Sequence, residues 1–138
     1  MFKKLSSILS SVLILLSSLF LCNVPVSAAE ISPYYLYVYS VTSNVTISGT
    51  TATCVSTARG YSGETTKIFI YQALQKKNSN NSWTVVSSWS ETDTGYIGSA
   101  TNTKSSLASG TYRLRTVFTV YAGSAYETIE SISSEKTI

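Results

Sequence analysis

The sequence predicts an all-β fold: one antiparallel sandwich of about seven strands, following a cleaved export signal. Three observations carry this expectation. Beyond residue 30 no apolar run keeps a helical period, and Thr, Val, Ile, Tyr and Ser dominate, residues that suit a pleated, half-buried surface. Seven glycines, at positions 49, 60, 63, 95, 98, 110 and 123, break the chain into short segments of hairpin-like length. Of the 138 residues, a 29-residue signal leaves about 109, room for a single domain spanning 30–138.

The signal, 1–29, has the three parts of a secretory leader. Lys3 and Lys4 supply its charge, Leu5 to Leu21 its apolar stretch, and Pro25 ends any helix before the small residues Ser27, Ala28 and Ala29. A cut before Ala29 or Glu30 fits the small-x-small pattern. The apolar stretch is diluted by serine and is at the lower limit for spanning a bilayer, so the membrane enters only through the uncleaved signal. Leu21 before Cys22 argues against lipid attachment. The expected localisation is extracellular.

The strands follow in order. Tyr34 to Thr42 alternates, with Tyr35, Tyr37 and Tyr39 on one face and Leu36, Val38 and Ser40 on the other, and Asn44 bends the chain before Val45–Ile47. Gly49-Thr50 turns into Thr51–Arg59, whose Ala52, Cys54, Ser56 and Ala58 share a small-residue face. After the loop Gly60–Gly63, Thr66–Lys77 places Ile68, Ile70 and Leu74 together. The wholly polar stretch 76–82 makes a hairpin to Trp83–Thr92, which sets Trp83, Val85 and Trp89 on one face. Tyr96–Leu107 is the weakest strand. Thr111–Ala122 is the clearest: Tyr112, Leu114, Thr116, Phe118 and Val120 alternate with Arg113, Arg115, Val117, Thr119 and Tyr121. Gly123-Ser124 turns into Ala125–Ser133.

The segment Leu107-Ala108-Ser109-Gly110-Thr111-Tyr112-Arg113-Leu114 resembles the tyrosine corner of immunoglobulin and fibronectin type III domains. That resemblance makes Tyr112 the corner tyrosine, its hydroxyl bonded to the backbone just upstream. It puts Leu114 where the second strand-bridging cysteine stands and Cys54 where the first stands. The bridge is missing, and Cys54 packs on Leu114. A second resemblance spans roughly Gly49 to Thr137. Gly60–Gly63 (Gly-Tyr-Ser-Gly), Leu74–Lys77 (Leu-Gln-Lys-Lys), the Ser-Trp-x-x-Val-x-Ser-Trp of Ser82–Trp89 and Gly110–Arg113 resemble a group of small secreted proteins of clostridial Gram-positive bacteria. It implies an exported β-sandwich and transfers no active site.

Composition excludes several functions. Histidine is absent, so no His-based triad, base or metal ligand exists. Eight basic and seven acidic residues follow position 29, leaving no basic field for nucleic acid. Cys54, alone in that region, cannot close an internal disulfide, and reads as a buried small hydrophobe or else an intermolecular link. Asp93-Thr94-Gly95 matches the aspartic-protease triplet, but its upstream flank is polar, with Glu91 two residues away, whereas that chemistry needs a dry shared site. Glu91 and Asp93 are too few carboxylates for calcium. Glu127 and Glu130 fall on opposite faces and make a poor acid–base pair. Asn44-Val45-Thr46 and Asn80-Asn81-Ser82 match the glycosylation pattern, as expected by chance in so Ser/Thr-rich a chain.

No enzyme, cofactor or metal is expected. The aromatics are the candidates for binding: Tyr35, Tyr37 and Tyr39 as a stripe, with Tyr61 and Tyr96 near loops, on which a sugar ring or a partner's side chain could stack. Trp83 and Trp89 read as cross-strand packing. Arg113 and Arg115 are expected to pair with Glu127, an anionic ligand being the alternative. The loops Gly60–Gly63 and Tyr96–Thr103 are further binding candidates. The leading expectation is a secreted, non-enzymatic binding module for a cell-surface glycan or protein; the alternative is an antagonistic protein, bacteriocin-like or toxin-like.

Overall fold

The computed structural model describes residues 34–138, so the expected signal and Cys22 lie outside the described residues. Eight strands form: β1 (Val38–Ser48), β2 (Thr51–Gly60), β3 (Lys67–Lys77), β4 (Trp83–Thr94), β5 (Ile97–Lys104), β6 (Thr111–Ala122), β7 (Ala125–Ile132) and the short β8 (Lys136–Thr137). They make two packed antiparallel sheets, ordered β1-β2-β5 and β4-β3-β6-β7, with β8 paired to the start of β6. The protein is a β-sandwich. Its connectivity is immunoglobulin-like, with β4 joined to β3 in the larger sheet rather than to β5 in the smaller one.

The alternation in the sequence produces this layering directly. Along β6 every second residue from Tyr112 to Val120 is buried, and the residues between them are half-exposed. β3 supplies Ile68, Ile70 and Leu74 to the same interior, and β2 supplies Ala52, Cys54 and Ala58 opposite them. Small residues on β2 facing larger ones on β3 and β6 let the two sheets approach.

The interior has two hydrophobic clusters. One gathers Val38, Ala58, Ile68, Ile70, Ala100, Phe118, Val120 and Ile129. The other gathers Val45, Ala52, Cys54, Leu74, Leu107, Tyr112 and Leu114, so Cys54 and Leu114 share one core at the two bridge positions. A polar chain lies among these buried strands. Gln72 Nε2 donates to Ser56 Oγ (2.7 Å) and to the Ala100 carbonyl (3.2 Å), while its Oε1 accepts from Asn102 Nδ2 (2.8 Å). Ser56 Oγ lies 2.7 Å from Thr116 Oγ1, which lies 2.8 Å from Ser43 Oγ; Ser43 donates to the Leu114 carbonyl at 3.4 Å. Gln72, Ser56 and Thr116 are fully buried, and no buried side-chain polar atom among the described residues lacks a partner.

The tyrosine corner is formed. Tyr112 Oη donates to the Ala108 carbonyl four residues upstream at 2.6 Å, and the ring is buried. Gly110 just before it has φ +151° and lies against the Lys76 side chain, a place that disfavours any Cβ.

Two bulges correct the expected faces. In β1, Val38 pairs with Gly60 and Ser40 with Arg59, leaving Tyr39 as an extra residue. The phase therefore shifts: Val38 points inward, then Val45 does, seven residues on. The strand begins at Val38, not Tyr34, and runs through Asn44 without a break, so Tyr35, Tyr37 and Tyr39 do not form one strand face. In β4, Leu74 pairs with Ser87 and Gln75 with Val85, leaving Val86 extra. Trp83 and Val85 consequently lie on the outer face opposite Lys77 and Gln75. Trp89 lies inward opposite Gln72 and packs on the second cluster. The expected common face for Trp83, Val85 and Trp89 is overturned.

Cys54 is fully buried, and desolvation pushes its thiol up to about 11. Buried and protonated, it cannot link two copies without unfolding. A raised folded value means the stability contribution is intact at neutral pH, below the unfolded value, and is lost as pH rises from about 9 to about 11. We expect Ellman's reagent at pH 8 to label Cys54 only in denaturant. Fast labelling of the native protein would show that the core opens there.

Candidate functional site

One end of the sandwich collects most of the tyrosines. The segment leading into β1, the β2–β3 loop, the β4–β5 turn and the β6–β7 hairpin all meet there. Eight of the ten tyrosines (34, 35, 37, 39, 61, 96, 121 and 126) lie on these segments; Tyr71 sits in mid-β3 and Tyr112 at the opposite end. Loop clusters at one end of a sandwich are where such folds present binding residues.

Backbone bonds tie these segments together. Gly60 N–H donates to the Tyr96 carbonyl (2.7 Å), Gly95 N–H to Thr66 O (2.8 Å), and Thr66 N–H to Tyr121 O (2.8 Å). Thr65 Oγ1 donates to the Tyr37 carbonyl and accepts from Tyr61 N–H at 3.1 Å. Gly60 is needed because a Cβ there would collide with the Thr65 side chain. Glu127 does not meet the arginines. Its carboxylate accepts from Leu36 N–H (2.9 Å) and Tyr37 N–H (2.7 Å), fixing the entering segment whose backbone has no strand partner there.

The expected binding tyrosines divide by environment. Tyr35 and Tyr37 are half-buried and pack on the first core cluster. Tyr39, Tyr61 and Tyr96 are exposed, at 57%, 36% and 41%. Tyr39 and Tyr61 form a tilted pair with ring centroids 5.6 Å apart. Sequence reading missed Tyr34 and Tyr126, the two most exposed, at 88% and 64%. It also missed the Tyr121–Tyr126 pair, 5.7 Å apart, with Lys67 over the Tyr121 ring. Their signal was the hairpin Tyr-Ala-Gly-Ser-Ala-Tyr at 121–126, which places a tyrosine on each side of one turn. Tyr34, Leu36, Tyr61, Ser62 and Glu64 line a concavity of about 390 Å³. Ile97–Lys104, expected in part as a binding loop, is strand β5, and only Tyr96 before it belongs to the loops.

The other candidate groups go elsewhere. Asp93 accepts from Ser99 N–H at 2.8 Å, holding β4 to β5. Among the described residues no three acidic or cysteine side chains lie together as a metal cluster would require. Arg115 pairs with Glu130 rather than Glu127. Arg113 bonds Gln75 and lies over Trp83. The arrangement at the tyrosine end offers apolar ring faces, hydroxyls and the Glu64 carboxylate, with no paired acid and base. Such rings and hydroxyls can stack on a ligand and hydrogen-bond to it.

No protein-family model matches the chain, and no curated protein matches it. The class of the protein therefore rests on the fold alone: an immunoglobulin-like β-sandwich with a tyrosine-lined end.

Proposed function

We propose that the chain is a secreted, non-enzymatic binding module that uses its tyrosine-rich end to dock on a cell-surface glycan or protein. The observation that carries this is the gathering of eight tyrosines from four separate segments at one end, five of them exposed. Tyrosine combines a flat apolar face with a hydroxyl and loses little conformational entropy when it binds. The backbone bonds that fix these segments lower the ordering cost of binding. The leader-like N-terminus and the resemblance to small exported proteins support secretion.

The test is a pelleting assay. Labelled protein starting at Glu30 is mixed with bacterial cells and with insoluble polysaccharides, and the bound fraction is measured against concentration. Saturable binding to one surface is the expected result. The Tyr39→Ala/Tyr61→Ala double variant is expected to weaken it at least ~10-fold, the loss typical of interface anchors. Full binding by that variant would remove the tyrosine end from the reading, and no binding to any surface would remove the reading itself.

A further inference from the structure

The end opposite the tyrosines has a different chemistry. Lys77, Arg113 and Arg115 share the outer sheet face there, at the close of β3 and the start of β6, while Lys76 and Lys136 pair with Tyr112 on the inner face. Arg115 pairs with Glu130, and Lys77 with Glu135 at 3.3 Å. On that outer face Arg113 is the cation these two pairs leave over.

Arg113 is the built part of this patch. Its Nε donates to Gln75 Oε1 at 2.8 Å, and Gln75 is itself buried. Its guanidinium carbon lies 4.1 Å from the Trp83 ring centroid, and the Lys77 ammonium lies 5.5 Å from the same ring. Stacking on one side and the Nε bond at the base hold the guanidinium plane in place. Among the described residues no carboxylate forms a salt bridge with it. A guanidinium held in this way and free of a carboxylate partner matches the two-oxygen edge of a tetrahedral oxyanion, which it can meet through two parallel hydrogen bonds. The neighbouring Lys77 would add attraction without adding directionality.

We propose that this face, with Arg113 as its anchor, binds phosphate or sulfate ester groups carried on a polymer. The site is separate from the tyrosine end, and its failure would leave that reading standing. The probes are inorganic polyphosphate, dextran sulfate and, as an uncharged control, dextran, each titrated into the full domain by calorimetry at low salt and again at 0.5 M NaCl. Saturable binding of one or both polyanions, weakened by salt and absent for dextran, is expected. Binding of one polyanion alone tells a phosphate from a sulfate preference, and binding of both assigns the face to either group.

Arg113→Ala is expected to weaken binding ~10-fold or more. Arg113→Lys keeps the charge but loses the fork, and is expected to weaken it nearly as much. Arg59→Ala, which removes one charge from an exposed position elsewhere, is expected to change it less than twofold. A purely structural Arg113 would lower the melting temperature of its variants and leave polyanion affinity unmoved, and that result overturns the proposal. So does equal loss in the Arg59→Ala variant, or no binding by either polyanion.

Discussion

Tyr112→Ala is expected to destabilise the domain by about 3–5 kcal/mol, the range for deleting a buried aromatic ring and leaving a cavity. The ring is 1% exposed and belongs to the cluster with Cys54, Leu74 and Leu114. Its hydroxyl also donates to Ala108 O at 2.6 Å, which pins the chain as it enters β6. Tyr112→Phe keeps the ring and removes that bond alone, at an expected cost of about 1–2 kcal/mol. Domains of this size are stable by only about 5–15 kcal/mol, so the alanine variant would lose a large share of the total. Guanidinium denaturation of both variants separates the two contributions through midpoint shifts at unchanged slope. A Tyr112→Phe midpoint equal to the parent's would show that the corner hydroxyl contributes nothing to stability.

The corner was legible because its parts are adjacent in sequence, as were the limits of β6, where strict alternation is bounded by Gly110 and Gly123. The bulges were not. An extra residue at Tyr39 or Val86 leaves no compositional mark, because Tyr and Val fit a strand at any phase, yet each shifts the faces on either side of it. β8 was missed because two residues carry no period. Tyr61 and Tyr96 were found as loop tyrosines, but their meeting with Tyr34, Tyr39 and Tyr126 depends on strand order, which no local pattern encodes. The buried polar chain had a readable signal. Ser56 lies between Cys54 and Ala58, Gln72 between Ile70 and Leu74, and Thr116 between Leu114 and Phe118, each a polar residue in phase with an apolar face. Three such interruptions on three strands imply that they meet, since each would otherwise be buried without a partner.

That meeting makes Gln72 the second position of large expected effect. The hydrogen-bond chain has one consistent direction: the Gln72 amide donates to Ser56, Ser56 to Thr116, Thr116 to Ser43, and Ser43 to the Leu114 carbonyl. Gln72→Leu removes the first donor and also the acceptor used by Asn102. Ser56 is then left buried with an unfilled acceptor, and Ala100 O loses a partner. We expect a loss of about 2–4 kcal/mol in urea denaturation, more than a single exposed hydrogen bond provides, because the remaining groups stay buried. Replacing the three fully buried members of the hydrogen-bond chain, Ser56→Ala with Gln72→Leu and Thr116→Val, removes the two stranded hydroxyls together with the amide. That triple variant is expected to be more stable than Gln72→Leu alone, so the three changes will not add. If instead the costs sum, the network is a set of independent bonds and the directional chain is wrong. If they do not, the chain's role is specificity rather than net stability. A one-residue slip of β3 against β6 would turn Gln72 outward and bury the Tyr71 and Ala73 face in its place, leaving Ser56 and Thr116 without their donor. The polar chain thus penalises the wrong register in a sandwich whose many Ser and Thr residues would otherwise tolerate it.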